Sequence, residues 1–225
     1  MELEPRLIET HVPDEPDGVV LVLHGGAARR EAVAVSPTQL SVVRMIPIAR
    51  RIARRGRGRL AVYRLLNTQR GWDTGHTPVD DARWALDEIA RRLGGTLPTC
   101  VVGHSLGGRA ALLTADHPGV RSVVALAPWV YPDDLPRGAD DRRFLIVHGD
   151  HDVIARAERS AAVAKALGRT ADVGYVTIEG GKHAMLRHHA RFDGLAAEFA
   201  VTTLLGEPAG DVLGRIEAGE AWVAV

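Results

Sequence analysis

The chain has 225 residues, 46% of them hydrophobic, enough to bury one substantial core. Lys plus Arg and Asp plus Glu number 28 each, so no net field gathers polyanions or anionic membranes, and nucleic acid is not an expected partner. The opening MELEPRLIETHVPDEP carries acids and prolines where a secretory leader needs a basic start and an apolar stretch of about 7 to 15 residues, and no run approaches the roughly 18 apolar residues of a spanning helix. With the single Cys100 forming no internal disulfide, these features predict a cytoplasmic protein without a membrane span, one domain over residues 1–225 with its core at about 18–205.

Residues 4–12 fit an antiparallel edge strand, and VVLVL (19–23) is the first core strand. Residues 27–46 form the longest irregular stretch, from which Val43 or Met45 either folds over a pocket or belongs to an exposed connector. Pro47 suits the first turn of a helix ending near Gly56, since its missing N–H costs nothing there. The run ARRIARRGRGR (49–59) reads as the solvated face and C-terminus of that helix rather than an anion patch. Strand LAVYRL (60–65) leads into RGWDTGH (70–76), then a helix whose stripe Ala82, Leu86, Ile89 and Leu93 turns one face inward while Asp87, Glu88, Arg91 and Arg92 meet water. TCVVG (99–103), SVVALA (122–127), FLIVH (144–148) and DVGYVT (173–178) complete the strands, and Phe192, Leu195 and Phe199 mark a last helix running to about Leu205. The strands are mostly solidly apolar, as in a parallel sheet covered by helices on both faces, so the fold class is α/β. Whether the tail 206–225 packs back or frays is left open.

Ser105 stands in GHSLG, after a buried strand and before the helical GGRAALLTA, the strand, turn and helix setting of a nucleophile elbow; the reading predicts strained backbone at Ser105. A serine hydroxyl needs a base to take its proton and a third group to orient that base. HGDHDV places Asp150 and Asp152 after the fifth core strand, and GGKHAM places His183 after the sixth. His183 is preferred over His188 and His189 because those two lie in a helical stretch. Leu106, at a helix N-terminus, offers a backbone N–H to an oxyanion.

LVLHGG, GHSLGG, HGDHD and GGKHAM, in this order and at these strand ends, resemble the α/β-hydrolase superfamily over about residues 18–205. More narrowly, the chain resembles its small lidless members, the dienelactone-hydrolase-like and lysophospholipase-like serine hydrolases. The resemblance implies a mostly parallel sheet with helices on both faces and no cap domain; only about 14 residues separate Ala127 from Arg142. It selects Asp152 over Asp150 as the acid, leaving Asp150 to bond loop backbone, and Gly26 as second oxyanion donor with Ala27 close behind. His24 then becomes scaffold for that turn. Dienelactone hydrolases proper use cysteine where this chain has Ser105, which separates it from their substrate; Cys100 lies on a buried strand and takes no catalytic role.

The expected activity is hydrolysis of a small carboxylic ester through Ser105, Asp152 and His183 and an acyl-enzyme. A thioesterase, peptidase or acyltransferase with the same triad, and a non-catalytic ligand-binding protein on the same scaffold, remain as alternatives. The substrate pocket is expected to draw on Ala27, Trp72, His76, His104, Trp129 and Met185, although Trp72 equally suits the core. The partner is a small acyl substrate. No cofactor is implied, and no metal either, because Asp73 and His76 alone fall short of a site. Oligomeric state is left open.

Overall fold

The structure, a computed structural model, describes residues 4–26, 33–72, 77–138 and 140–225. Eight strands form one sheet: β1 (Arg6–His11), β2 (Gly18–Leu23), β3 (Leu60–Leu66), β4 (Thr99–His104), β5 (Val120–Leu126), β6 (Arg143–Gly149), β7 (Asp172–Ile178) and β8 (Trp222–Ala224). Their spatial order is β1-β3-β2-β4-β5-β6-β7-β8. β1 runs antiparallel to β3 at one edge, as residues 4–12 predict, and the other neighbours pair in parallel.

The uninterrupted apolar strands are explained by their two covered faces. On β2, Val19, Leu21 and Leu23 pack with α3 (Pro78–Arg92), α4 (Leu106–Leu113) and α5 (Ala157–Leu167), whereas Val20 and Val22 face α2 (Met45–Arg55) and α6 (His189–Leu205). On β6, Phe144 and Ile146 join the first layer and Leu145 and Val147 the second, so the strand period of two supplies both cores from one run.

One stretch differs from the sequence expectation, and another, left open there, takes a definite structure. The end of the segment 27–46 is helical: α1 (Leu40–Val43) is followed almost at once by α2, and Met45 is buried in the α2 and α6 core instead of folding over a pocket. The tail packs back, with α7 (Asp211–Glu217) leading into β8, which adds a parallel strand to β7. Its short span and the exposed flanks of Val223 leave too little periodicity to read as a strand. Residues 27–32 and 73–76 lie outside the described residues, and with them the candidates Ala27, Asp73 and His76.

Candidate active site

The carboxyl ends of β2, β4, β6 and β7 meet on one side of the sheet, close to where the strand order turns back at β2, the usual place for a site in an open α/β sheet. Ser105 follows β4 directly, with φ 57° and ψ −121°, a left-handed conformation that a serine rarely adopts. Three backbone bonds hold it there: its N–H donates to Leu126 O at 2.9 Å, and its carbonyl accepts from Arg109 N–H at 3.2 Å and Trp129 N–H at 3.1 Å. Gly103 and Gly107 make the turn possible by close approach, since a Cβ on Gly107 would stand 2.5 Å from Leu23 O and one on Gly103 would overlap the Gly107 carbonyl.

His183, in the loop after β7, places Nε2 3.0 Å from Ser105 Oγ and Nδ1 2.7 Å from Asp152 Oδ2. An ionised carboxylate only accepts, so Nδ1 carries the proton and Nε2 is free to accept from the serine hydroxyl. Asp152 Oδ1 accepts the N–H groups of Ile154 at 2.8 Å and Ala155 at 2.9 Å, which anchors that oxygen. Burial by itself would raise the Asp152 carboxyl, but hydrogen bonds from His148 and His183 and the Ile154 N–H outweigh it and hold the group well below the usual carboxylate range. Asp150 instead accepts the Gly180 N–H at 2.7 Å, the loop bond expected of it.

His104 lies against His183, ring centroids 4.9 Å apart, and its Nε2–H donates to the His183 carbonyl at 2.9 Å. Burial, then the neighbouring His183, pushes His104 down to about 3, so the imidazole is neutral at physiological pH. On the other side Arg44 donates to Ala184 O at 2.9 Å and to Asp193 Oδ1 at 2.7 Å, tying the loop that carries His183 to the start of α2 and to α6. His24 braces the turn at Gly25 and Gly26: it is paired with Gly25 O at 2.6 Å and accepts the Asn67 N–H at 3.1 Å, and burial lowers its pKa.

A cavity of about 490 Å³ opens over Ser105 and His183. Gly25 and Gly26 form one wall; Leu40, Val43, Trp129, Ile154 and Leu186 give it an apolar mouth. Arg44 is its one charged lining residue among the described residues, and that charge is already taken up by Asp193. Gly26 and Trp129 therefore stand where the sequence puts them, and Leu106 is the first residue of α4, where a helix leaves its N–H unpaired.

Two pocket candidates lie elsewhere. Met185, at φ 52°, turns its side chain into the α6 core and is buried, so it does not line this cavity. Trp72 stacks under the Arg109 guanidinium at 4.2 Å and lines a neighbouring cavity of about 780 Å³, which shares Trp129 with the first. His104 touches the cavity but its ring serves the His183 loop. Sequence reasoning missed Arg44, Leu40, Ile154 and Leu186, which carry no chemical signature, and His148, which stands in the HGDHD stretch that located the acid.

No cluster of three or more His, Cys, Asp or Glu side chains is placed to hold a metal ion among the described residues. No helix among them is long and apolar enough to cross a membrane.

The profile of the alpha/beta hydrolase family matches residues 85–196, from α3 through the elbow to α6. The chain is a member of the α/β-hydrolase superfamily. Similar solved structures include a protein of unknown function from Agrobacterium tumefaciens, 17% identical over 92% of this chain and 94% of that one, with a TM-score of 0.64. An esterase of Pyrobaculum calidifontis is 16% identical over 89% of this chain and 81% of its own, TM-score 0.63. A monoacylglycerol lipase of Paleococcus ferrophilus is 17% identical over 89% and 99%, TM-score 0.62. At such identities the likeness is one of fold. No curated protein matches the chain. This α/β hydrolase keeps the superfamily's mostly parallel sheet, and among its described residues no helical cap stands between β5 and β6.

Proposed function

We propose that this α/β hydrolase is a serine hydrolase that cleaves a small, neutral carboxylic ester through an acyl-enzyme. The reading rests on the hydrogen-bonded chain from Ser105 Oγ through His183 to Asp152 at the floor of an apolar cavity. Ser105 Oγ attacks the carbonyl carbon while His183 Nε2 takes its proton, and Asp152 steadies the imidazolium. The N–H groups of Leu106 and Gly26 receive the oxyanion, the first helped by the N-terminal dipole of α4. Collapse breaks the bond to the alcohol, which leaves with the proton from His183. Water then repeats the sequence on the acyl-enzyme, releasing the acid and restoring Ser105.

Among the described residues the mouth is apolar and its one charged neighbour is ion-paired, which favours uncharged acyl groups, because a carboxylate or ammonium there would lose its hydration with no free partner among those residues. The esterase and lipase among the structural neighbours agree with an ester bond as the target. Hydrolysis of p-nitrophenyl acetate and butyrate, with Ser105→Ala as control, tests the reading; equal rates for the two proteins would sink it.

A further inference from the structure

Asp152 Oδ2 faces two histidines. Besides His183, it lies 3.2 Å from Nε2 of His148, a fully buried residue of β6. The same Nε2 is 3.0 Å from Ala155 O. Carboxylate and carbonyl only accept, so Nε2 carries the proton and shares it between them. Nδ1 must then accept, and Ser160 of α5 supplies a hydroxyl at 2.8 Å. Ser160 Oγ is 3.0 Å from the hydroxyl of Tyr175 on β7, which also reaches Ala157 O at 3.2 Å, and the Tyr175 ring stacks on Trp222 of β8 at 4.5 Å. A buried line of partners thus runs from Tyr175 through Ser160 and His148 to Asp152, with the exposed Trp222 stacked at its outer end.

We propose that His148 is a positioning residue for the triad: its Nε2–H holds Asp152 in the rotamer that offers Oδ2 to His183 and draws off part of that oxygen's charge. The inference rests on the triad reading above. A single Asp–His bond leaves a carboxylate free to turn about its own side chain, whereas Oδ1 pinned by two amides and Oδ2 by a buried donor leave one orientation. The groups that act on this cluster are Asp152 and His183, His104 behind His183, and Tyr175 with Glu158 beside it.

The comparison of His148→Leu with His148→Gln tests it, since the glutamine amide keeps a donor near the Nε2 position and leucine removes it. His148→Leu is expected to lose roughly tenfold in kcat, the worth of a hydrogen bond to a charged group, with KM within about twofold of wild type. With Oδ2 left to His183 alone, the acid limb of the kcat/KM profile moves to higher pH by about half a unit or more. His148→Gln restores both. The His183 titration midpoint followed by imidazole NMR moves in the same sense and needs no turnover, so an inactive wild type with a moving midpoint would count against the hydrolase reading and not against the role of His148. Wild-type kcat and acid limb in His148→Leu, or equal loss in both variants with an unmoved limb, would overturn the proposal. Should the leucine variant fail to fold, Ser160→Ala unlocks the His148 tautomer and is expected to shift the limb in the same direction; an unmoved limb there overturns it as well.

Discussion

The ring of His104 lies 4.9 Å from that of His183, tilted by 44°, and donates to the backbone of the residue it faces. Two adjacent histidines would repel each other if both were charged. Burial keeps His104 neutral, so the pair does not carry two positive charges.

That neutrality makes stability fall on acidification. His104 is held at about 3 in the folded protein against an unfolded value near 6.5, so between those limits the unfolded chain binds a proton that the folded one does not. Stability is therefore full above about pH 6.5 and declines as pH falls, by up to about 1.4 kcal/mol per unit for this one group. His24, lowered by burial as well, adds to the slope. Urea unfolding from pH 7.5 to 4.5 should show the decline, and His104→Gln should flatten it.

The two carboxylates of HGDHD should separate cleanly. Asp152→Asn keeps the shape but cannot fix the His183 tautomer, and is expected to cost roughly 10³ to 10⁴ in kcat. Asp150→Asn weakens one loop bond to Gly180 and should leave kcat within about threefold of wild type. Comparable losses in both would contradict the assignment.

The elbow tolerates no Cβ at its glycines. Gly107→Ala would press a methyl against Leu23 O and His24 O at 2.5 and 2.6 Å, backbone atoms of a central strand and the donor turn. The expected loss is about 2 kcal/mol or more in urea unfolding, with activity falling in parallel.

Most of this architecture was legible because the central strands are apolar on both faces and each motif sits at a strand end. Ser105, His183 and the HGDHD acids could be brought together from order, since a parallel sheet brings all carboxyl ends to one side, whereas the choice of Asp152 over Asp150 rests on the family resemblance. What periodicity cannot show is which way a single side chain turns. Met185 follows the base by two residues, yet its left-handed backbone sends it into the core, and Trp72 is held beside Arg109 away from Ser105. The tie from Arg44 to Ala184 and Asp193 joins residues 140 and 149 positions apart, beyond any local pattern. His148 occupies an ordinary strand position, and only the arrival of Asp152 and Ser160 around it reveals its partners.

Burial pushes the Cys100 thiol up to about 12, a hydrogen bond with Ser122 offsetting only part of this. It should resist a disulfide reagent in native buffer and react once in urea. Rapid native modification that abolishes activity would point to a cysteine in the chemistry.

Central to the account is that Ser105 is the activated nucleophile. Intact-mass analysis after treatment with a fluorophosphonate tests this most directly: wild type should gain one adduct, mapped to Ser105, as ester hydrolysis is lost, and Ser105→Ala should gain none. An unlabelled wild type, or an adduct and ester hydrolysis that persist in Ser105→Ala, would contradict it.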